Sequence, residues 1–106
     1  MASEVQHKLE SFMERNRERW ILMLKNISSN REGREFLADY MLLCHLSSSA
    51  YTGNSDTYFK LGQQYIALRV QNDLREASFD NWVAMWKESV ERDNLRKKEK
   101  EDIYNG

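Results

Sequence analysis

Ala50-Tyr51-Thr52-Gly53-Asn54-Ser55-Asp56-Thr57-Tyr58-Phe59 is the only clear turn in a chain that contains no proline. It separates two segments whose apolar residues recur with helical spacing. Gly53 takes positive φ at little steric cost, so the chain can reverse sharply there. Asn54 or Ser55 then caps a new helix by accepting a hydrogen bond from a free N–H of its first turn. Asp56 in that turn suits the positive end of the helix dipole. Gly53, Asn54 and Ser55 are therefore read as a structural turn that sets how the two halves of the chain face each other.

Working outward toward the N-terminus, Phe36, Leu37, Tyr40, Met41, Leu43 and Cys44 give a broad apolar face. They predict a helix from about Asn30 to Leu46. Ser29-Asn30-Arg31-Glu32 fits a capping box, serine with glutamate three residues on. Gly33 falls in the first turn, where it costs less than in mid-helix. Upstream, Val5, Leu9, Phe12, Met13, Trp20, Met23, Leu24 and Ile27 follow the spacing of an amphipathic helix that begins at an N-cap, Ser3. Asn16 interrupts that stripe. The run Glu14-Arg15-Asn16-Arg17-Glu18-Arg19 reads as a solvated section where the helix leaves the core or changes neighbours.

Toward the C-terminus, a third helix is predicted from Asp56 to about Glu76. Tyr58, Leu61, Tyr65 and Leu68 form one row, and Phe59, Ile66, Val70 and Leu74 a second. So wide a face predicts packing against two neighbours. Gly62 lies between the rows, where glycine costs about 1 kcal/mol relative to alanine; close approach of another helix would compensate. Ser78 is the expected N-cap of a last helix carrying Phe79, Trp82, Val83, Trp86 and Val90. Beyond Val90 the stripe fails. Residues 91–102 are mostly charged, of both signs, until Ile103 and Tyr104 return two apolar groups.

The chain has 106 residues, 41% apolar and 31% charged, with three tryptophans and a formal net charge of −1. One domain with a modest core is the reading, over residues 1–90, with residues 91–106 as a charged helical extension or tail. The balance of charge gives no global drive toward nucleic acid or anionic lipid. A lone cysteine excludes an intramolecular disulfide. The polar start lacks the features of a signal peptide. Apolar runs reach only about five residues against the roughly 20 that span a bilayer, so no membrane-spanning segment is expected and the chain should be soluble.

Spacing offers no site of chemistry. Cys44 and His45 are adjacent, and neighbouring helical residues point about 100° apart, a poor chelate. Cys44 reads as a small buried group and His45 as a helix-end residue; no metal or cofactor is expected. No nucleophile elbow or triad context occurs, so the chain is read as no enzyme. Thr52-Gly53-Asn54-Ser55 precedes a helix but lacks the Walker pattern, and Asp56 would repel phosphate. Three arginine- or lysine-rich clusters, at Arg15–Arg19, Arg31–Arg34 and Arg96–Lys100, are interleaved with acids. They read as solvated faces, so nucleic-acid binding is not favoured. Trp82 and Trp86 share one face. A chain this small buries its aromatic inventory only in part, so Trp82, Trp86, Ile103 and Tyr104 are the candidate partner contacts.

The central stretch also resembles a known family. Gly33-Arg34-Glu35-Phe36-Leu37, Leu42-Leu43-Cys44, Ser49 through Phe59, Gly62-Gln63 and Ala67-Leu68 are similar to a small family of short-tailed, podovirus-like bacteriophage proteins typified by a Bordetella-phage member. The match spans roughly residues 31 to 88, and its specific part is the core T-G-N-S-x-T-[YF]-F, here Thr52 to Phe59. His45 departs from the usual glycine after Cys44, Leu61 from an acidic residue and Gln64 from a basic one. The resemblance implies a virion-associated protein, present in the virion and in host cytoplasm during assembly. It would act as a minor structural or assembly component at the portal or head–tail connection, or among internal ejection proteins. Its implied partners are other virion proteins and copies of itself in an oligomer or ring. The alternative is a small non-virion phage regulator that binds DNA or a host protein. The fold expected is all-α, a four-helix bundle or two packed helical hairpins with projecting terminal helices.

Overall fold

The computed structural model describes residues 2–44, 53 and 56–106, and every regular element among them is an α-helix. The helices are α1 (Ala2–Ile27), α2 (Arg31–Leu43), α3 (Asp56–Ala77) and α4 (Phe79–Asn105). The all-α fold follows from the 3.6-residue periodicity and the absence of internal proline. Gly53 has φ +77° and lies in the connection between α2 and α3, as its freedom from a Cβ allows. Asn54 and Ser55, like His45 and Leu46, fall outside the described residues.

Two predicted helix starts shift. Ser3 lies inside α1, which already begins at Ala2, and so is not its cap. The start of α2 is capped by Asn30, not by a Ser29–Glu32 box. Asn30 is extended and its side-chain oxygen accepts from Gly33 N at 2.7 Å. The Ser29 hydroxyl instead donates to the Asn26 carbonyl at 2.6 Å, one of the free acceptors at the end of α1. Ser78 caps α4 as expected, accepting from Asn81 N at 3.2 Å.

The core is small. Leu24 of α1, Leu37, Ala38 and Met41 of α2 with Cys44 beyond it, Ala67, Val70 and Leu74 of α3, and Met85 of α4 are buried together. Trp82, Trp86 and Ala77 pack against its edge. Ala38 and Ala67 are fully buried, and their small side chains let the helix backbones approach. Gln71 meets Trp86 and Arg75 meets Trp82, so α3 and α4 form an antiparallel hairpin. Ser28 meets Asn81, Arg34 meets Glu88 and Glu35 meets Arg92, so α2 runs parallel to α4.

Much of the predicted apolar face does not pack. Tyr58, Phe59, Leu61, Tyr65, Ile66 and Leu68 are exposed, Tyr58 to 80%, and only the C-terminal part of α3 reaches the core. The α3 face therefore meets its neighbours over half its length, not all of it. Gly62 has nothing within 4 Å of where a Cβ would stand, so no helix approaches it closely. On α4, Phe79, Val83 and Val90 are exposed, and Met85 is the fully buried residue. Residues 3–20 of α1 and 93–105 of α4 are exposed throughout, so both terminal helices project. The chain measures 74 × 39 × 15 Å, with a radius of gyration of 18.7 Å. A compact chain of this length has a radius of about 13 Å.

Candidate interaction site

Two polar clamps hold the projecting helices at fixed places. The Asp73 carboxylate on α3 is buried yet fully engaged. One oxygen accepts from the Trp20 indole at 2.8 Å, the other from Arg17 at 3.2 Å. Arg17 also donates to Glu76 at 2.6 Å. Hydrogen bonds to Asp73, then to Glu76, raise the Arg17 guanidinium above its ordinary value. These contacts pin the middle of α1 to the end of α3.

The second clamp joins α2 to α4. Arg34 grips Glu88 through Nε and Nη2 at 2.8 to 3.1 Å, and its Nη1 donates to the Ser28 carbonyl at 3.1 Å. Both side chains are mostly buried, so this bidentate pair is shielded from water. Arg34 hydrogen bonding holds the Glu88 carboxyl below its ordinary value, against the opposing effect of desolvation. The buried Ser28 hydroxyl accepts from Asn81 Nδ2 at 3.1 Å and donates to the Lys25 carbonyl. Gly33 is required beside this turn, because a Cβ there would overlap the Ile27 carbonyl oxygen.

Beyond the clamps, α4 lines a concave feature. A groove of about 700 Å³ is lined by Trp82 and Trp86, by Ser89, Val90, Arg92, Asp93 and Arg96, and by Asp39, Leu42 and Gln71 from the flanking helices. It joins two of the four candidate partner residues, Trp82 and Trp86. The Trp86 indole donates to Gln71 at 3.0 Å. Trp82 Nε1 and both terminal nitrogens of Arg92 are buried without an acceptor. All three are donors, and both residues line this groove. Arg92 has Nε 3.6 Å from Glu35, beyond hydrogen-bond range.

The other two candidates, Ile103 and Tyr104, are 78% and 79% exposed near the end of α4. They lie roughly 25 Å along the helix from Trp86 at 1.5 Å per residue, so the chain does not bring the four together. They do share the groove's side of α4. Asp39, Gln71 and Arg92 escaped the sequence reading, and Arg96, read there as part of a solvated basic cluster, lines the groove. The one available signal was the spacing of Trp82, Trp86, Ser89, Asp93 and Arg96, which alternates four and three as in a packing seam.

A second hollow of about 500 Å³ lies where α1 leaves α3, between Met13, Asn16, Arg17, Trp20 and Arg69. Below it the stripe of Val5, Leu9, Phe12 and Met13 is exposed. On α2, Phe36 stacks on Tyr40 with ring centroids 6.2 Å apart, and both are exposed. Among the described residues no cluster of His, Cys, Asp or Glu is arranged to hold a metal ion. No helix among them is long and apolar enough to cross a membrane.

The accessible surface is 8348 Å². Surface scaling gives roughly 6200 Å² for a folded monomer of this mass, so about 2100 Å² lies open in excess. That is the area one subunit gives up in a sizeable obligate interface. Comparison with protein-family models, with curated proteins and with solved structures found no match in any of the three.

Proposed function

We infer that the chain is a non-enzymatic, virion-associated assembly protein that works through helix–helix contacts. The observation carrying this reading is the excess of open surface, with exposed apolar stripes, on helices that polar clamps hold in place. Rigid amphipathic helices with uncovered stripes are suited to be completed by other helices, and their burial supplies the driving force at about 25 cal/mol per Å². The exposed stripes of α1 and the first half of α3 are the faces offered to a larger structural protein. Support for a phage particle as the setting is the resemblance of Thr52–Phe59 and its flanks to the short-tailed phage family. That setting places the protein at the portal or head–tail connection, or among internal proteins ejected with DNA.

The test is quantitative mass spectrometry of purified particles from the source of this gene, before and after DNA release. The expected result is a fixed stoichiometry in the particle. Loss with the DNA identifies an ejected protein, and retention a portal or tail component. Absence from clean particles with abundant protein in infected cells overturns the virion reading and promotes the regulator alternative.

A further inference from the structure

We propose that α4 pairs antiparallel with α4 of a second copy, with Asp93 of each chain opposite Lys100 of the other. The tip of each helix, Ile103 and Tyr104, then lies in the tryptophan groove of its mate. This deepens the assembly reading by naming one partner and one surface, and it rests on that reading.

One face of α4 carries the pattern. Trp82, Trp86, Asp93, Lys100 and Tyr104 recur at intervals of four, seven, seven and four residues, so they lie along one side of α4 within a narrow arc. The side opens with two half-buried tryptophans and closes with an exposed isoleucine and tyrosine. Its middle carries charges of both signs. Two such helices laid antiparallel match apolar end to apolar end only when each tip reaches the other's groove.

That register is also the one the charges favour. Setting Asp93 against Lys100 of the second copy gives two opposite-charge contacts, because the arrangement has a two-fold axis and every contact occurs twice. Tyr104 of the second copy then comes beside Ser89 and Trp86. Glu99 of the second copy lies on the flank that holds Arg92 and Arg96. Lys97 sits near the axis and faces its own counterpart; Asp93, already 3.2 Å from Lys97 of its own chain, then bridges that lysine and Lys100 of the second copy.

The groove has a reason to accept this occupant. Its orphaned atoms, Trp82 Nε1 and Arg92 Nη1 and Nη2, are all donors. Buried donors without acceptors are costly, and the Arg92 charge is met by Glu35 only at 3.6 Å from its Nε. An incoming carboxylate on the Arg92 flank lets that side chain turn toward an acceptor. Glu99 supplies the carboxylate, and the Tyr104 hydroxyl supplies an acceptor near the indoles. The open area of the chain is large enough for such a contact while leaving α1 and α3 free for another protein.

The test uses the full-length chain in sedimentation velocity across micromolar concentrations. The wild type is expected to show a monomer–dimer equilibrium. Asp93→Lys and Lys100→Asp each turn two attractive contacts into repulsive ones and are expected to raise the dimer dissociation constant about tenfold or more. An equimolar mixture of the two variants is expected to recover dimers, because only the mixed pair restores both contacts. Both positions are solvent-exposed, and unchanged melting of each variant shows that the fold is intact. A wild type that stays monomeric overturns the proposal, as does a mixture that behaves like its separate components. Neither result touches the virion reading, which the particle analysis decides by itself.

Discussion

Replacing two glycines by alanine, one at a time, should move stability in opposite directions. At Gly62 a Cβ meets nothing within 4 Å, and the residue lies inside α3. Alanine there restricts the unfolded chain and gains helix propensity, so Gly62→Ala should stabilise by about 1 kcal/mol. At Gly33 the Cβ overlaps the Ile27 carbonyl oxygen and falls 2.8 Å from its carbon, and both are backbone atoms that cannot swing aside. The turn must shift, and the turn carries the Ser28 contacts to Arg34 and Asn81. Losing two part-buried hydrogen bonds at about 1 kcal/mol each, with residual strain of similar size, makes Gly33→Ala about 3 kcal/mol destabilising. At roughly 4 to 8 °C per kcal/mol, thermal melting followed by circular dichroism should separate the two variants by more than about 15 °C. A Gly33→Ala protein that melts with the wild type, or above it, would refute the close approach at the turn. A Gly62→Ala protein that loses helix would refute the open face of α3.

Three further outcomes test the clamps and the central turn. Because Arg34 depresses the Glu88 carboxyl, the pair contributes stability that is fully present above the ordinary value of 4.5 and is lost as pH falls through the lower folded value. Melting temperature should therefore fall on acidification below about 4.5, and Glu88→Gln should flatten that part of the profile while lowering stability at neutral pH. Trp20→Phe keeps the ring packing but removes the donor to buried Asp73. It should cost about 1–3 kcal/mol in chemical denaturation, and a value near zero would mean that Arg17 alone satisfies the carboxylate. Gly53→Val forces a β-branched residue to φ +77° and should cost about 1–2 kcal/mol; unchanged melting would show that the turn does not depend on that conformation.

The helices were legible because periodicity and punctuation agreed. Ser78 marks α4, Asp56 opens α3, and Ile27 closes α1, all at the positions the sequence implies. Caps were less legible where two candidates stood side by side. Ser29 and Asn30 both qualify as caps, and the choice turned on which one the end of α1 claimed for its own carbonyls. Burial was least legible. An apolar stripe says which side of a helix would be buried, not whether anything arrives to bury it. Thus Val70 and Leu74 enter the core while Phe59 and Ile66, on the same row, remain exposed. Charged partners distant in the chain, such as Arg34 with Glu88, leave no local pattern at all.

That division also links the tryptophan face to the tail. In a closed bundle, apolar residues left over after packing scatter singly over the surface and carry little meaning. Here they are ordered along helices that the Asp73 and Glu88 clamps hold at fixed points. The conformational cost of presenting those faces is therefore met when the chain folds, before any partner is bound, and a preorganised surface loses less on association. The same logic ranks the two ends of the molecule. The α1 stripe is apolar with few charges to set its register, and so suits a partner that brings its own complementary groove. The α4 face carries Asp93 and Lys100 between its apolar ends, and alternating charge is what restricts a helix to one register and one orientation. Specific self-pairing is therefore the role proposed for α4, and adhesion to a larger protein the role proposed for α1 and α3.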